Sequence, residues 1–450
     1  MSAATDKMRE AGLPEIAVET FARYERRLRE GEGGMVPEAE IEPLADVLAV
    51  DSLPEGDESA LDRAVVLKLN GGLGTSMGMT RAKSLLAVKD GLSFLDITVR
   101  QVLELRERHG ARIPLLLMNS FATRDDTLAA LEPYPELAVE GLPLDFLQGR
   151  VPKLLADGHE PVSWPADPGQ EWAPPGHGEV FASLAASGLL AELLERGYEY
   201  VFLSNSDNLG AVLEPRILSW FAREELPFLS ETVDRTEADR KGGHLARRAE
   251  DGGLVLRETA QVPEEDQEAF EDTERHRFFN ANNIWVNLRA LKRALDERDG
   301  VLGLPMIVNR KTVDPSDSSS PEVLQLETAM GAAIGVFEGA AALHVPRARF
   351  APVKTSNNLL VVRSDAYELA DDWTVQLAAG RDAAPIVELS DDYKLLRDFE
   401  DRFPAGPPSL VEADRLEVDG DVHFGRDVKV RGSVHVEGPA EIPDGTVLEG

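Results

Sequence analysis

Residues 65–69 are apolar and β-branched enough to form an interior strand, and that strand empties into a glycine-rich loop ending on a lysine. The stretch reads Lys68-Leu69-Asn70-Gly71-Gly72-Leu73-Gly74-Thr75-Ser76-Met77-Gly78-Met79-Thr80-Arg81-Ala82-Lys83. Glycines with small hydroxyls between them let backbone N–H groups crowd around an anion. A tight βα turn is the plain alternative, since Gly-Gly pairs mark turns far more often than ligand sites. A Walker loop needs Lys then Ser or Thr directly after its last glycine, whereas Met79 follows Gly78 here. The glycines also miss the G-x-G-x-x-G spacing of a dinucleotide fingerprint. A nucleotide-phosphate loop of another kind remains.

At 450 residues the chain has room for two or three domains. Its formal net charge of -34 argues against nucleic acid and anionic membranes as partners, because phosphate outside a local pocket would be repelled. Lysines gathered against that field carry more information than usual. With no cysteine, disulfides, thiolate catalysis and cysteine-ligated metals are excluded. The sequence shows no apolar leader and no run long enough to span a bilayer, which predicts a soluble cytoplasmic protein.

Residues 1–60 are expected to form an N-terminal helical segment. From residue 61 to 363, apolar runs alternate with helical stretches: 65–67, a helix near 94–109, then 113–118, 200–204, 227–229 and 283–286. Such alternation predicts an α/β domain with a mixed, mostly parallel sheet and a ligand site at the carboxyl ends of its strands. Residues 314–322 read as a flexible loop. Residues 364–410 are expected to be a helical linker.

The tail, 411–450, has a different period. Val418, Phe424, Val430, Val436, Ile442 and Leu448 fall on one six-residue column. Leu416, Val422, Val428, Val434, Ala440 and Thr446 form a second, with Gly420, Gly432 and Gly438 between. That repeat predicts a short left-handed parallel β-helix, about two coils long, which must lean on the α/β domain or on another subunit. Weak self-association through this tail is the corresponding expectation.

Four further segments stand at strand ends or loops. Gln148 offers both a donor and an acceptor, as reading a nucleobase edge requires. Pro174-Pro175-Gly176-His177-Gly178-Glu179 is a stiff turn opening into a helical pattern over 180–194, with the Gly176 N–H and the His177 ring available to a ligand. Ser204-Asn205-Ser206-Asp207-Asn208 follows an apolar strand, and a carboxylate there is where nucleotide enzymes hold Mg²⁺. Phe279-Asn280-Ala281-Asn282-Asn283 sets three amides beside an aromatic strand, which suits a hydroxyl-rich ligand. A surface glutamine, a solvated histidine, an Asx turn and a polar turn are the ordinary alternatives for these four. Finally Lys354, alone between an aromatic-proline run and an apolar run, is expected to point inward or into a cleft and to supply a second cation for a polyphosphate.

Taken in order, these motifs strongly resemble the UDP-glucose pyrophosphorylase family, the eukaryotic-type UTP-glucose-1-phosphate uridylyltransferases. The resemblance rests on Leu69-Asn70-Gly71-Gly72-Leu73-Gly74-Thr75-Ser76-Met77-Gly78 with Lys83 beyond it, Pro174-Pro175-Gly176-His177-Gly178, Ser204-Asn205-Ser206-Asp207-Asn208-Leu209-Gly210, Lys241-Gly242-Gly243, Asn280-Ala281-Asn282-Asn283-Ile284-Trp285 and Pro352-Val353-Lys354-Thr355. It implies a Rossmann-like nucleotidyltransferase fold. It also implies that Leu69, Asn70, Gly71 and Gly72 touch the uridine and phosphates, Lys83 the phosphates, and Gln148 and Gly176 the uracil. By the same resemblance His177, Asn280 and Asn282 face the sugar phosphate, Asp207 holds Mg²⁺ with Asn205 nearby, and Lys354 is the principal catalytic lysine beside Lys83. The chain departs from the family at 79–82, where Met-Thr-Arg-Ala replaces Cys-Lys-Gly-Pro, at Glu179, where Asp is usual, and at Asn357-Asn358, where Ser-Asp is usual. Arg81 is therefore a candidate for an added phosphate contact.

The implied reaction joins UTP and glucose 1-phosphate to give UDP-glucose and pyrophosphate, with lysines and Mg²⁺ offsetting the repulsion of two anions and no covalent enzyme intermediate. Three alternatives are weighed against it: a UDP-N-acetylglucosamine pyrophosphorylase, a broad-specificity UDP-sugar pyrophosphorylase, and a nucleotide-sugar sensor without turnover.

Overall fold

The computed structural model describes residues 2–315 and 317–450. Ser316, within the expected loop at 314–322, lies outside the described residues. The main sheet runs in the order Leu48–Ala49, Ala341–His344, Phe228–Asp234, Phe278–Asn287, Tyr200–Asn205, Ala64–Asn70, Leu115–Asn119, Asp145–Leu147. All neighbours along this path are parallel except those of Phe278–Asn287, which is antiparallel to both of its partners. The expected mixed, mostly parallel α/β sheet is present.

Both faces of the sheet are covered, which is why its central strands read as continuous apolar runs rather than alternating ones. Val65, Leu67, Leu116, Met118, Val201 and Leu203 enter one core, while Ala64, Val66, Leu115, Leu117, Tyr200 and Phe202 enter the other. Each fully buried side chain of Val or Leu size or larger stabilises the fold by about 1.5–3 kcal/mol. The helix Phe94–His109 lies where the sequence places one. Ser93 caps it, accepting from Asp96 N at 3.1 Å and donating to the Asp96 carboxylate, and Gly110 ends it at φ 61°. The pattern over 180–194 divides into two helices, Val180–Ala186 and Leu189–Glu195, because Gly188 sits between them at φ 80°.

Two expected helical segments differ. Within 1–60, helices Ala3–Glu10 and Glu15–Arg29 pack on Val151, Leu154, Met306, Leu324 and Leu326, but no α-helix continues beyond Arg29. Gly31, Gly33, Gly34 and Pro37 break the pattern, and Ile41–Pro43 and Leu48–Ala49 go on to pair as strands. Within 364–410 there is one α-helix, Leu396–Arg402, and three short strands, Tyr367–Leu369, Val375–Leu377 and Ile386–Leu389. Their partners decide the matter: the first two pair with each other and the third joins a strand that begins at Ser409.

From 386 onward the strands are parallel. Ile386–Leu389, Ser409–Asp419, Lys429–Glu437 and Val447–Glu449 stack in one sheet, and Val422–Phe424 stacks on Ala440–Ile442 in another. Leu416 pairs with Val434, Val422 with Ala440 and Val430 with Leu448, so each layer advances eighteen residues, three hexapeptides. The residues of both columns nearest the body are buried, among them Leu416, Val418, Val422, Phe424, Val428 and Val430. Phe403 stacks on Phe424 with ring centroids 4.9 Å apart, and the Tyr393 hydroxyl donates to the Val422 carbonyl at 2.8 Å. This core is continuous with Met77 of the glycine-rich loop and with Val353, Leu359 and Leu360.

Candidate functional site

The carboxyl ends of adjacent parallel strands lie level with one another: Asn70 is opposite Asn119, Leu69 opposite Asn205, and Asn119 opposite Leu147. Beyond that edge the chain turns into the loops singled out above. Asn70 is buried, donating to Asn119 Oδ1 at 2.7 Å and to Thr127 Oγ1 at 2.9 Å. Ser206 donates through its hydroxyl to the Leu69 carbonyl at 2.7 Å and to Asn70 Oδ1 at 3.1 Å. The Gln148 side chain is buried and donates to the Gly176 carbonyl at 3.3 Å, while a Cβ on Gly71 would stand 2.7 Å from Gln148 Oε1. Leu69, Asn70, Gly71, Gln148 and Gly176 are therefore one cluster.

The glycine-rich loop folds back on itself. Lys83 N donates to the Gly72 carbonyl at 3.0 Å, and Gly74 and Gly78 hold left-handed φ values of 66° and 72° that a side chain would strain. Nothing lies within 4 Å of the place where a Cβ on Gly72 would be, so a ligand can reach that backbone. Lys83 crosses to the neighbouring strand end, where its ammonium lies 2.6 Å from the Asp207 carboxylate. Arg81 instead pairs at the surface with Asp126 at 3.2 Å. An exposed pair of this kind contributes little to holding the loop.

Two further loops close the sides. Gly176 sits at φ 79°, ψ 168°, a region only glycine occupies readily, and packs against the backbone of Thr328. His177 Nδ1 accepts from Met330 N at 3.0 Å, and burial pulls this histidine down to about 4, so the ring is neutral and carries its proton on Nε2. Glu179 accepts from Gly149 N at 2.9 Å, bridging the Gln148 and Gly176 loops, and burial pushes its carboxyl up to about 7. Opposite, the pairing of Phe278–Asn287 shifts register against Ser230 and Thr232, and this bulge re-aims the amides. Asn280 Oδ1 accepts from Ser230 Oγ at 3.2 Å and from Asn282 N at 3.1 Å. Asn282, at φ 57°, donates to Asn205 Oδ1 at 3.3 Å, while its own Oδ1 is buried with no partner among the described residues. An orphan acceptor of that kind suits a ligand hydroxyl.

Lys354 is exposed, so of the two placements expected for it, inward or into a cleft, the interior is excluded. Val353, buried, takes the inward position in the extended segment, so its neighbour faces out. The segment is nonetheless tied to the site: Val353 N donates to the Asp207 carbonyl at 3.3 Å, and Pro352 bridges to Asn208. Lys354's charge reaches Glu258, a carboxyl that burial pushes up and the lysine pulls down.

Several contributors escape the sequence patterns. Ser120 Oγ donates to the Gly71 carbonyl at 3.0 Å, and Glu231, fully buried, accepts from Trp285 Nε1 at 2.9 Å and from Arg349 Nη2 at 2.6 Å. A lysine at 68 inside a largely apolar strand, and a glutamate at 231 in a strand that also carries Phe228, Leu229 and Val233, are the signals that could have found the buried polar groups.

Residues 18–431 match the family model of UTP-glucose-1-phosphate uridylyltransferase. The chain belongs to that family. Its relatives include the barley (Hordeum vulgare) enzyme of this name, 42% identical over 443 residues that cover 95% of this chain and 91% of that one. The yeast (Saccharomyces cerevisiae) enzyme is 41% identical over 397 residues, 87% of this chain and 78% of its own. Among solved structures, a mutant of the Leishmania major UDP-glucose pyrophosphorylase in complex with UDP-glucose superposes with TM-score 0.94 at 45% identity, covering 99% of this chain and 97% of that one. The Trypanosoma brucei UDP-glucose phosphorylase does so with TM-score 0.93 at 44% identity and the same coverage.

Proposed function

We propose that this protein transfers UMP from UTP to glucose 1-phosphate, releasing pyrophosphate and forming UDP-glucose. The observation that carries the reading is the meeting of Lys83 from the glycine-rich loop with Asp207 from the adjacent strand end, 2.6 Å apart, with the Lys354 segment bonded to the same loop. Membership of the family gives that cation-and-carboxylate cluster its chemistry.

In this reading the Gln148 amide and the Gly176 backbone take the uracil edge, and Leu69, Asn70, Gly71 and Gly72 line the path of the ribose and phosphates. Asn280 and Asn282 take glucose hydroxyls, the orphan Asn282 Oδ1 accepting one, and His177 donates through Nε2–H to the sugar phosphate. Lys83 and Lys354 flank the triphosphate. A phosphate oxygen of glucose 1-phosphate attacks the α-phosphorus in line, the bond to the oxygen bridging the α- and β-phosphates breaks, and pyrophosphate leaves without a covalent enzyme intermediate. Lysines offset the charge gathering on that leaving group.

The donor set fits Mg²⁺. Asp207 already holds a cation, the Lys83 ammonium, and Mg²⁺ is commonly bound through one or two carboxylates with the remaining positions filled by water and substrate phosphates. Asp207 would hold the ion with Asn205 beside it, and the ion would supply charge neutralisation at the phosphates.

The eighteen-residue layers support a short left-handed parallel β-helix at 411–450, and its exposed Val447 supports weak self-association there; a single monomer mass at high concentration would count against it. Among the described residues no helix is long and apolar enough to cross a membrane, and a cytoplasmic setting is part of the proposal.

The test is pyrophosphate release from UTP with Mg²⁺, comparing glucose 1-phosphate with N-acetylglucosamine 1-phosphate and galactose 1-phosphate, and UTP with other nucleoside triphosphates. Release confined to UTP and glucose 1-phosphate is expected. Release with several sugars would make the protein a broad-specificity pyrophosphorylase, and none would make it a sensor.

A further inference from the structure

Lys68 is buried to 2% exposure in the middle of the central strand Ala64–Asn70, a position that disfavours a lysine unless it is bonded. Its parallel partner across the sheet is Ser204, the residue from which the Asp207 loop departs. The amine donates to Ser204 Oγ at 2.8 Å and, seven residues further along the chain, to the Ala211 carbonyl at 2.7 Å, where the loop re-enters the body. One buried side chain thus joins both ends of the segment that presents Asp207.

We propose that Lys68 is a positioning residue for metal-assisted nucleotide binding, stapling residues 204–211 so that Asp207 meets a nucleotide-bound divalent cation in a fixed place. The inference rests on the reading of Asp207 given above. The rest of the loop is braced at other points. Arg349 donates to the Val212 carbonyl at 3.0 Å, and Asn208 Oδ1 accepts from Gly210 N and from Ala351 N. None of these spans the loop from end to end. The Asp207 carboxylate is bonded to Lys83, which arrives on another loop, so its position is inherited chiefly from the backbone beneath it.

The staple works in either charge state. Burial, helped by the Arg349 guanidinium and opposed by Asp207 and Glu231, pulls Lys68 down to about 7. A neutral amine has two N–H groups and both bonds are made; an ammonium adds a third without removing either.

The decisive comparison is UTP binding by calorimetry with and without Mg²⁺, which gives a metal-dependent gain in affinity without turnover. Lys68→Met keeps length and apolar volume but donates nothing, and is expected to cut that gain by about 10- to 100-fold, the range for residues that orient a metal's ligand. Metal-free UTP binding should be unchanged, an outcome that a general loss of structure would not give. Where Lys68→Met fails to fold, Ser204→Ala removes one anchor and should move the gain in the same direction. Asp207→Asn separates the two ideas. If it abolishes the gain while folded Lys68→Met and Ser204→Ala both keep it, the staple is wrong and the metal reading stands; if Asp207→Asn also keeps the gain, both fall.

Discussion

Gly176→Ala tests, at its tightest point, the loop proposed to take the uracil edge. Gly176 occupies φ 79°, ψ 168°, and forcing an alanine there costs about 1–3 kcal/mol. A Cβ at this position would stand 2.7 Å from Thr328 N and closer still to the Thr328 carbonyl, where ordinary contacts begin near 3.4 Å. Thr328 must therefore retreat by more than half an ångström. That movement breaks the bond from Thr328 N to the Pro175 carbonyl, now 3.0 Å, a further cost of about 1 kcal/mol. The two effects together come to about 3 kcal/mol, relieved only if the loop swings away and carries the Gly176 carbonyl off Gln148. Binding of UTP or UDP-glucose should then weaken by about a hundredfold. Isothermal titration with a parallel melting curve measures both halves of the effect. A Gly176→Ala protein whose affinity and melting temperature match the wild type would refute the reasoning, because it would mean that the loop takes a Cβ without moving.

Gly72→Ala should behave oppositely: the added methyl meets nothing within 4 Å, so melting is unchanged while phosphate binding weakens, and unaltered UTP affinity would remove Gly72 from the phosphate path. Lys354→Ala should lower kcat on the order of a hundredfold or more without disturbing the fold, since this exposed amine stands 5.9 Å from the Phe350 ring centroid; turnover within a few fold of wild type would end its catalytic role. Because the fold favours neutral His177, the stability it contributes is present above the ordinary value of 6.5 and is lost as pH falls through about 4; melting should drop more steeply in acid for wild type than for His177→Gln, and equal drops would contradict the buried neutral ring. The sign reverses for Glu179, whose protonated form the fold favours: that contribution is present below 4.5 and lost as pH rises through about 7. Glu179→Gln should therefore gain on wild type in alkaline melting curves, and parallel curves would show the carboxylate to be solvated.

The interior strands are legible because covering both faces leaves an unbroken apolar signature, and the buried residues of the tail because they recur every six positions. The lost detail lies in partners distant in sequence. Tyr367–Leu369, Val375–Leu377 and Ile386–Leu389 are too short to show a period, and Ile386–Leu389 becomes a strand only when residues 415–418 arrive beside it. Gln148 and Asp207 stand out by position, at the end of a strand; what they touch does not, since Gly176 and Lys83 come from other loops. The exposure of Lys354 is hidden by its apolar surroundings, because its neighbour Val353 takes the buried place. Lys68 is legible only as an anomaly: one charge inside an apolar strand marks a buried polar group, but its partners Ser204 and Ala211 come from elsewhere in the chain.

Met77 gives the order of synthesis a consequence for activity. It is 1% exposed, and the core that hides it includes Leu416, Val422 and Val434. A ribosome delivers residues 411–450 after the sheet and the glycine-rich loop have already emerged. Until then the core that Met77 shares with these residues is incomplete. A chain cut short before these residues would carry every candidate site residue and yet lack part of the core in which Met77 of the glycine-rich loop is buried.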